Sequence, residues 1–415
     1  MRPDTPGARR AADGERLAVE TRAGRLLVAG PFLLAGVLGL LVGVFRHEGW
    51  PAVLAVPFGL LAFLAWRSLS RPRARANSLL LVLATLAALV AVPELALRLG
   101  GFKYGSRMQF GYPDPEQFLD FEPDARLFWK LSPGRADVNE LGFIGPEVQV
   151  PVPPGVRRIL FLGDSCTQQG HPDRVGQLLR SISGDSIECV NLAMSGYTSY
   201  QGRVLTETVA RNLGSEVVVI CYGWNDHWLA FGEPDATKQI DVGIEKAYRT
   251  SRLLQLVRRA LVGVARRRAE PSTSPRVTLD QYGDNLRAMI AAYRESGTAV
   301  LLVTAPTSMY FRGVPNYLVE RRFVTDAPSA PRLHLQYNGL VREIARTEGV
   351  WLLDLEAVLN TPAADRCFHE DGIHFTPRGR EEVAQRTAAL LAQRWLTGKA
   401  PDPAATASQP APLPR

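Results

Sequence analysis

The chain has 415 residues, a formal net charge of +7 and four cysteines. The excess charge lies partly in arginines that flank apolar runs near the N-terminus, so it is no argument for nucleic-acid binding. Cys166, Cys189, Cys221 and Cys367 have neither metal-site spacing nor the density of a disulfide framework, and no Gly-rich phosphate loop or dinucleotide fingerprint appears, so the sequence calls for no cofactor and no metal.

Residues 1–25 are expected as a cytoplasmic segment and residues 26–98 as a three-helix transmembrane anchor. The run 26–45 is uncharged and, at about 1.5 Å per residue, long enough to cross a hydrocarbon core of about 30 Å. Residues 50–66 form a shorter apolar run with Trp50 and Trp66 at its ends, where interfacial aromatics sit. Residues 78–93 form a third, with Glu94 and Arg98 four apart at its exit, spaced to pair. A cleaved signal peptide does not account for three successive runs, the first of which has no A-x-A closing site. Arg2, Arg9, Arg10, Arg16, Arg22 and Arg25 precede the first run and Arg67, Arg71, Arg73 and Arg75 lie between the second and third, against Arg46 alone between the first and second. The positive-inside rule then puts the N-terminus inside and the rest of the chain outside the cytoplasm, on a multi-pass protein of the inner membrane with lipid as a partner. The weak point is 50–66, which contains Pro51 and Pro57; if it only dips into the bilayer, two crossings return the chain to the cytoplasmic side.

Residues 99–155 are rich in Gly, Pro and aromatics, too aromatic for a plain linker. They read as a connecting strap that packs Phe121, Phe128 and Trp129 on the domain that follows, in preference to a separate binding module.

Residues 156–397 alternate strand and helix patterns. The runs 157–162 (RRILFL), 187–192 (IECVNL), 216–221 (EVVVIC), 299–304 (AVLLVT) and 350–355 (VWLLDL) are short and apolar, as expected of buried parallel strands. The first leads into Gly163-Asp164-Ser165 and a helical pattern over 173–182, the second into Ser195-Gly196-Tyr197, and the third into Gly223-Trp224-Asn225-Asp226. Beyond the fifth, Asp371-Gly372-Ile373-His374 precedes Thr376-Pro377, a helix start. Residues 227–278 interrupt the rhythm with a basic amphipathic pattern over 251–268, which suits a membrane surface, a wall of the substrate cleft, or a solvated arginine face docked on the domain. Residues 306–317 read as a cleft-edge loop with no residue assigned to chemistry, and the Pro/Ala-rich 398–415 as a disordered tail.

A serine at a strand's carboxyl end, two oxyanion donors, and a histidine with a carboxylate three residues away make a complete acyl-transfer set. Ser165, Gly196, Asn225 and His374, with the DGIHFTPRG stretch as the most specific block, resemble the SGNH hydrolases, also called the GDSL esterase/lipase superfamily, and the strap 99–155 resembles the lead-in of that family's membrane-anchored bacterial members. The resemblance implies an α/β fold, a three-layer αβα flavodoxin-like sandwich with five parallel strands in the order 2-1-3-4-5. It also implies roles. Ser165 is the nucleophile, His374 the base and Asp371 its orienting partner. The N–H groups of Ser165 and Gly196 and the amide of Asn225 receive the oxyanion. Asp164 is a supporting residue, expected to accept hydrogen bonds from neighbouring loops, and Asp226 is structural for the same reason. Ile144 stands where the membrane-anchored members are expected to carry an arginine.

His227, two residues past Asn225, is a candidate for substrate contact or for a lid or surface position. His369 with Asp371 and His374 lacks the further ligands of a metal site. Cys189 and Cys221 are expected as buried thiols, while Cys166 and Cys367, beside the nucleophile and the base loop, raise an active-site disulfide. The function expected is a membrane-anchored serine esterase that hydrolyses acyl esters, acetyl first among them, with a cell-envelope glycan as the substrate partner. One alternative is an O-acyltransferase on an extracytoplasmic polysaccharide, which needs a membrane partner to deliver acyl groups. Another is a non-catalytic binding or scaffold protein, against which the intact Ser165, Asn225, Asp371 and His374 argue.

Overall fold

The apolar run before Gly163 becomes the second strand of a five-stranded parallel sheet in the computed structural model, which describes residues 78–104, 121–134, 137–230, 233–268 and 274–397. The sheet strands are β3 (Val156–Gly163), β4 (Ser186–Asn191), β5 (Val217–Cys221), β6 (Ala299–Val303) and β7 (Trp351–Leu353), in the order β4-β3-β5-β6-β7. Counted along the chain this is 2-1-3-4-5, the expected order, with the switch point between β3 and β5.

Side chains along a strand alternate between faces, and here both faces are apolar. Leu160, Leu162, Val218, Ile220 and Leu302 point into one core, completed by Leu205 of α4 (Ser199–Thr208), Met289 of α7 (Leu279–Glu295) and Ile344 of α8 (Ser329–Glu348). Ile159, Phe161, Val217, Val219, Leu301 and Val303 point into the other, with Leu179 of α3 (His171–Ser183) and Val383 of α9 (Pro377–Leu391). These are the three layers, and they bring every strand end that carries a motif to the same carboxyl edge.

The strap contributes β1 (Phe121–Asp124) and β2 (Phe128–Leu131), an antiparallel pair that short runs of mixed polarity did not announce. Its turn is closed by the Asp124 carboxylate, which accepts from the N–H groups of Arg126 and Leu127 at 2.9 and 2.8 Å. Phe128 and Trp129 are fully buried in the first core. Gln201 Nε2 donates to Leu127 O (2.9 Å) and Tyr197 Oη to Trp129 O (2.6 Å), tying the strap to α4 and to the turn before it.

The chain divides into two compact units, Met1–Tyr104 with Thr250–Arg258, and Gly105–Arg249 with Arg259–Arg415. In the first, α1 (Ser78–Leu99) carries the third apolar run. The runs 26–45 and 50–66, the segment 1–25 and the tail 398–415 lie outside the described residues. Among the described residues, which take in no side chain of α1 before Ala88, no helix is long and apolar enough to cross a membrane, so the crossing expected over 78–93 finds no support there. From Ala88 onward α1 carries Pro93, Glu94 and Arg98. Glu94 accepts from Arg98 Nε at 2.7 Å, the expected pair, and also from Ser251 Oγ and the N–H groups of Arg252 and Leu253 at 2.9, 2.9 and 2.8 Å. It thereby satisfies the first turn of the helix Arg252–Arg268, a contact between residues too distant in sequence to be read from periodicity.

Candidate active site

Gly163 closes β3 where a side chain has no room: a Cβ there falls 2.4 Å from Thr167 Oγ1 and 2.9 Å from the Cys221 carbonyl. Asp164 follows as the N-cap of the single-turn helix Ser165–Gln168, accepting from Cys166 N at 2.9 Å. It therefore bonds within its own turn, where hydrogen bonds from neighbouring loops had been expected. Burial pushes its carboxyl up to about 6, against the opposing effects of the Cys166 N–H and the charge on His374.

Ser165 Oγ lies 2.8 Å from His374 Nε2, and His374 Nδ1 lies 2.5 Å from Asp371 Oδ2, so three residues spanning 209 positions of sequence form one hydrogen-bonded chain. The other Asp371 oxygen accepts from the N–H groups of Ile373 and His374, both at 2.9 Å, which fixes the carboxylate beside the ring. With Ser165 as donor to Nε2, Nδ1 carries the proton shared with Asp371. Burial disfavours the imidazolium, but the hydrogen bond and charge of Asp371, with the charge of Asp164, raise the pKa of His374 above its ordinary value. Burial likewise opposes the Asp371 carboxylate, yet His374 and the two backbone donors hold its pKa below the usual range.

The loop that carries Asp371 and His374 is supported from the segment after β6, to which the sequence assigns no chemistry. Gly372, at φ +70°, turns its carbonyl to Thr307 Oγ1 (2.8 Å) and Ser308 N (3.0 Å), and Arg312 Nη1 donates to His369 O (2.7 Å). A hydroxyl-bearing loop at a strand's carboxyl end was the available signal, though nothing in the sequence named its partner.

Gly196 lies in a turn closed by Tyr197 N to Met194 O at 3.0 Å, and its φ of +82° at the third position is that of a type II turn, which favours glycine. Asn225 Nδ2 donates to Tyr197 O (3.0 Å), which places the third motif against the second. Gln168 Oε1 accepts from Ser195 N (3.0 Å), which ties the turn to the helix that begins at Ser165.

The other candidates sit apart from this chemistry. His227 is neither a substrate contact nor a lid or surface residue: it is 1% exposed, its Nε2 is 3.0 Å from His334 Nδ1, and His334 Nε2 is 2.7 Å from Ala305 O. Because a carbonyl only accepts, His334 donates through Nε2 and receives the His227 proton at Nδ1. Burial pushes His334 down to about 4 and His227 well below its ordinary value, so both rings are neutral packing elements against Trp224. Asp226 is fully buried and accepts from Ser199 N (2.9 Å) and Ser199 Oγ (2.5 Å), a structural position. His369 is exposed on the base loop, and Ile144 is exposed in the strap. Cys166 and Cys367 are both free and buried, so the suggested disulfide is absent; Cys166 Sγ points instead to Ile373 O at 3.5 Å. Cys189 and Cys221, expected as buried thiols, are free and lie in β4 and β5 packed against the second core, where burial pushes both thiols up.

The family model described as GDSL-like lipase/acylhydrolase matches residues 161–381, which takes in all four motifs. The chain belongs to that family. As a GDSL-like acylhydrolase it is an ester-hydrolysing enzyme. Among solved structures it is similar to a lipase/acylhydrolase from Enterococcus faecalis, at 17% identity over 57% of this chain and 96% of that one, with a TM-score of 0.39. It is similar to a GDSL-like lipase from Bacteroides thetaiotaomicron, at 17% identity over 59% and 89%, with a TM-score of 0.37. An acetylxylan esterase from Geobacillus stearothermophilus is similar at 21% identity over 57% and 93%, with a TM-score of 0.36. No curated protein matches the chain.

Proposed function

We propose that the protein is a membrane-anchored serine esterase that removes acetyl groups from a cell-envelope glycan, with Ser165 as nucleophile. The observation that carries the catalytic part is the Ser165–His374–Asp371 hydrogen-bonded chain. His374 Nε2 takes the hydroxyl proton as Ser165 Oγ attacks the ester carbonyl, and Asp371 stabilises the imidazolium that forms. The N–H groups of Ser165 and Gly196 and the Asn225 amide receive the oxyanion. His374 then returns the proton to the leaving alcohol, and water, activated by the same ring, releases the acid from the acyl-enzyme. Incubation with acetylated aryl esters and acetylated glycans tests this reading: acetate release with regeneration of free enzyme supports it. Transfer of acetyl to an added sugar acceptor in place of release would instead support the acyltransferase reading, with an acyl-donating membrane partner.

His374 works as a base only when neutral, so the rate rises with pH as the ring loses its proton. Its pKa lies above the ordinary value of about 6.5, so the acid limb of kcat/KM is expected above that pH. Asp371→Asn removes the charge that raises it and moves the limb to lower pH. Rate profiles of both proteins between about pH 5 and 9 check this, and an unmoved limb in the variant contradicts it.

The anchoring part rests on the three apolar runs and the arginines that flank them. A reporter active only outside the cytoplasm is expected to be active when fused after Leu396 and silent when fused between Arg71 and Ala76. The reverse pattern would place Ser165 on the cytoplasmic side and remove the envelope glycan from consideration.

A further inference from the structure

The segment between β5 and α7, which interrupts the strand-helix rhythm, returns to the catalytic edge. Residues 274–277 lie antiparallel to 226–230: Arg276 N donates to Trp228 O at 2.7 Å, Ala230 N to Ser274 O at 2.9 Å, and Val277 N to Asp226 O at 3.0 Å. This pairing begins one residue after Asn225 and carries the Arg276 guanidinium under the turn that holds Gly196. Arg276 Nη1 donates to Gly196 O at 2.8 Å. Its Nε and Nη2 reach the two Asp235 oxygens at 3.2 and 2.8 Å. Both residues are buried, Asp235 completely, and Asp235 also accepts from Thr198 Oγ1 at 2.9 Å and Lys238 Nζ at 3.4 Å.

We propose that Arg276, held by Asp235, is a positioning residue for the acyl-transfer site, fixing the backbone of Gly196 so that its N–H stays aimed at the oxyanion. This rests on Gly196 being an oxyanion donor. Glycine has the widest backbone freedom of any residue, which suits the positive φ of the turn and also leaves the donor free to swing. Preorganisation is what gives such a donor its effect. Gln168 holds the N–H of Ser195 on one side, and Arg276 holds the carbonyl of Gly196 on the other, so the peptide carrying the Gly196 N–H is suspended between two fixed groups. The guanidinium suits the task because its planar fork engages a carboxylate and a carbonyl together, and because Asp235 balances its charge inside the protein. The insertion is then part of the catalytic machinery in its second half, whatever its helices do.

The test uses the full-length enzyme and its Arg276→Ala and Arg276→Lys variants, with an aryl acetate as substrate. In Arg276→Ala, kcat is expected to fall about 10²-fold, at the lower end of the effect of losing one oxyanion donor, with KM little changed. A trifluoromethyl ketone, which forms a tetrahedral oxyanion on the serine, is expected to lose affinity by the same factor, while the product alcohol binds as before. Added methylguanidinium restores part of kcat, and Arg276→Lys falls between the two. If Arg276→Ala does not fold, the same ratio of ketone to alcohol affinity in Arg276→Lys decides the matter. Loss of both inhibitors to equal extent, or wild-type kcat with full ketone affinity, overturns the proposal and leaves Arg276 a structural residue. Failure of the ketone to inhibit the wild-type enzyme would reject the site reading beneath it, and the proposal with it.

Discussion

In the Ser165→Ala variant, ester cleavage is expected to fall by a factor on the order of 10⁴–10⁶, with circular dichroism and thermal midpoint close to wild type. The substitution removes the attacking oxygen and the proton that His374 accepts, and it leaves the backbone N–H of residue 165 in place. What remains is catalysis by the oxyanion donors and substrate binding alone, which exceeds the uncatalysed rate but lacks the covalent route. The fold is not at stake, since Gly163 and the Asp164 cap set the turn independently of the hydroxyl. Turnover of an aryl acetate by the purified variant, corrected for hydrolysis without enzyme, measures the loss. Retention of more than about one tenth of the wild-type rate would place the nucleophile elsewhere.

The second large effect concerns the base. His374→Ala is expected to lose activity to nearly the same extent as Ser165→Ala, because nucleophile and base act as a unit and losing either forfeits the same step. Asp371→Asn is expected to lose less than His374→Ala: it keeps a base within 2.8 Å of Ser165 but removes the charge that holds the ring in its tautomer. The double variant Ser165→Ala/His374→Ala then shows little further loss, which steady-state kinetics on the same aryl ester reads directly. A second loss as large as the first would mean that the two residues act separately, against the contact between them.

The five strands were legible because a buried parallel strand leaves a dense apolar signature. The runs 157–162, 187–192, 216–221, 299–304 and 350–355 each overlap the observed β3–β7 within a residue or two. The order of the sheet and the convergence of Ser165, Asp371 and His374 came from resemblance, since apolar periodicity carries no information about which strands are neighbours. The strap hairpin escaped notice because FEPD and FWKL are too short to alternate visibly, although the aromatic content of the segment did signal burial. His227 is deceptive in sequence for a different reason. A histidine beside a catalytic motif invites a chemical reading, and only the contact with His334, 107 positions away, shows that it is a packed, neutral ring. The same holds for Arg276 and Gly196, 80 positions apart, and for Thr307 and Gly372, 65 apart: each pairing depends on loops meeting at the sheet's edge. The suggested pairing of Cys166 and Cys367 came from their positions on either side of the site, yet Cys166 turns its sulfur to the Ile373 carbonyl inside the second core.

Whether Ser165 is the residue acylated in each turnover is tested most directly by treating the native enzyme with an alkyl fluorophosphonate and locating the adduct by peptide mass spectrometry. The predicted result is one adduct, on the peptide containing Ser165, formed in step with loss of esterase activity and much more slowly in His374→Ala, whose serine has lost its base. An adduct on another serine accompanying inactivation, or full inactivation with Ser165 unmodified, would contradict it.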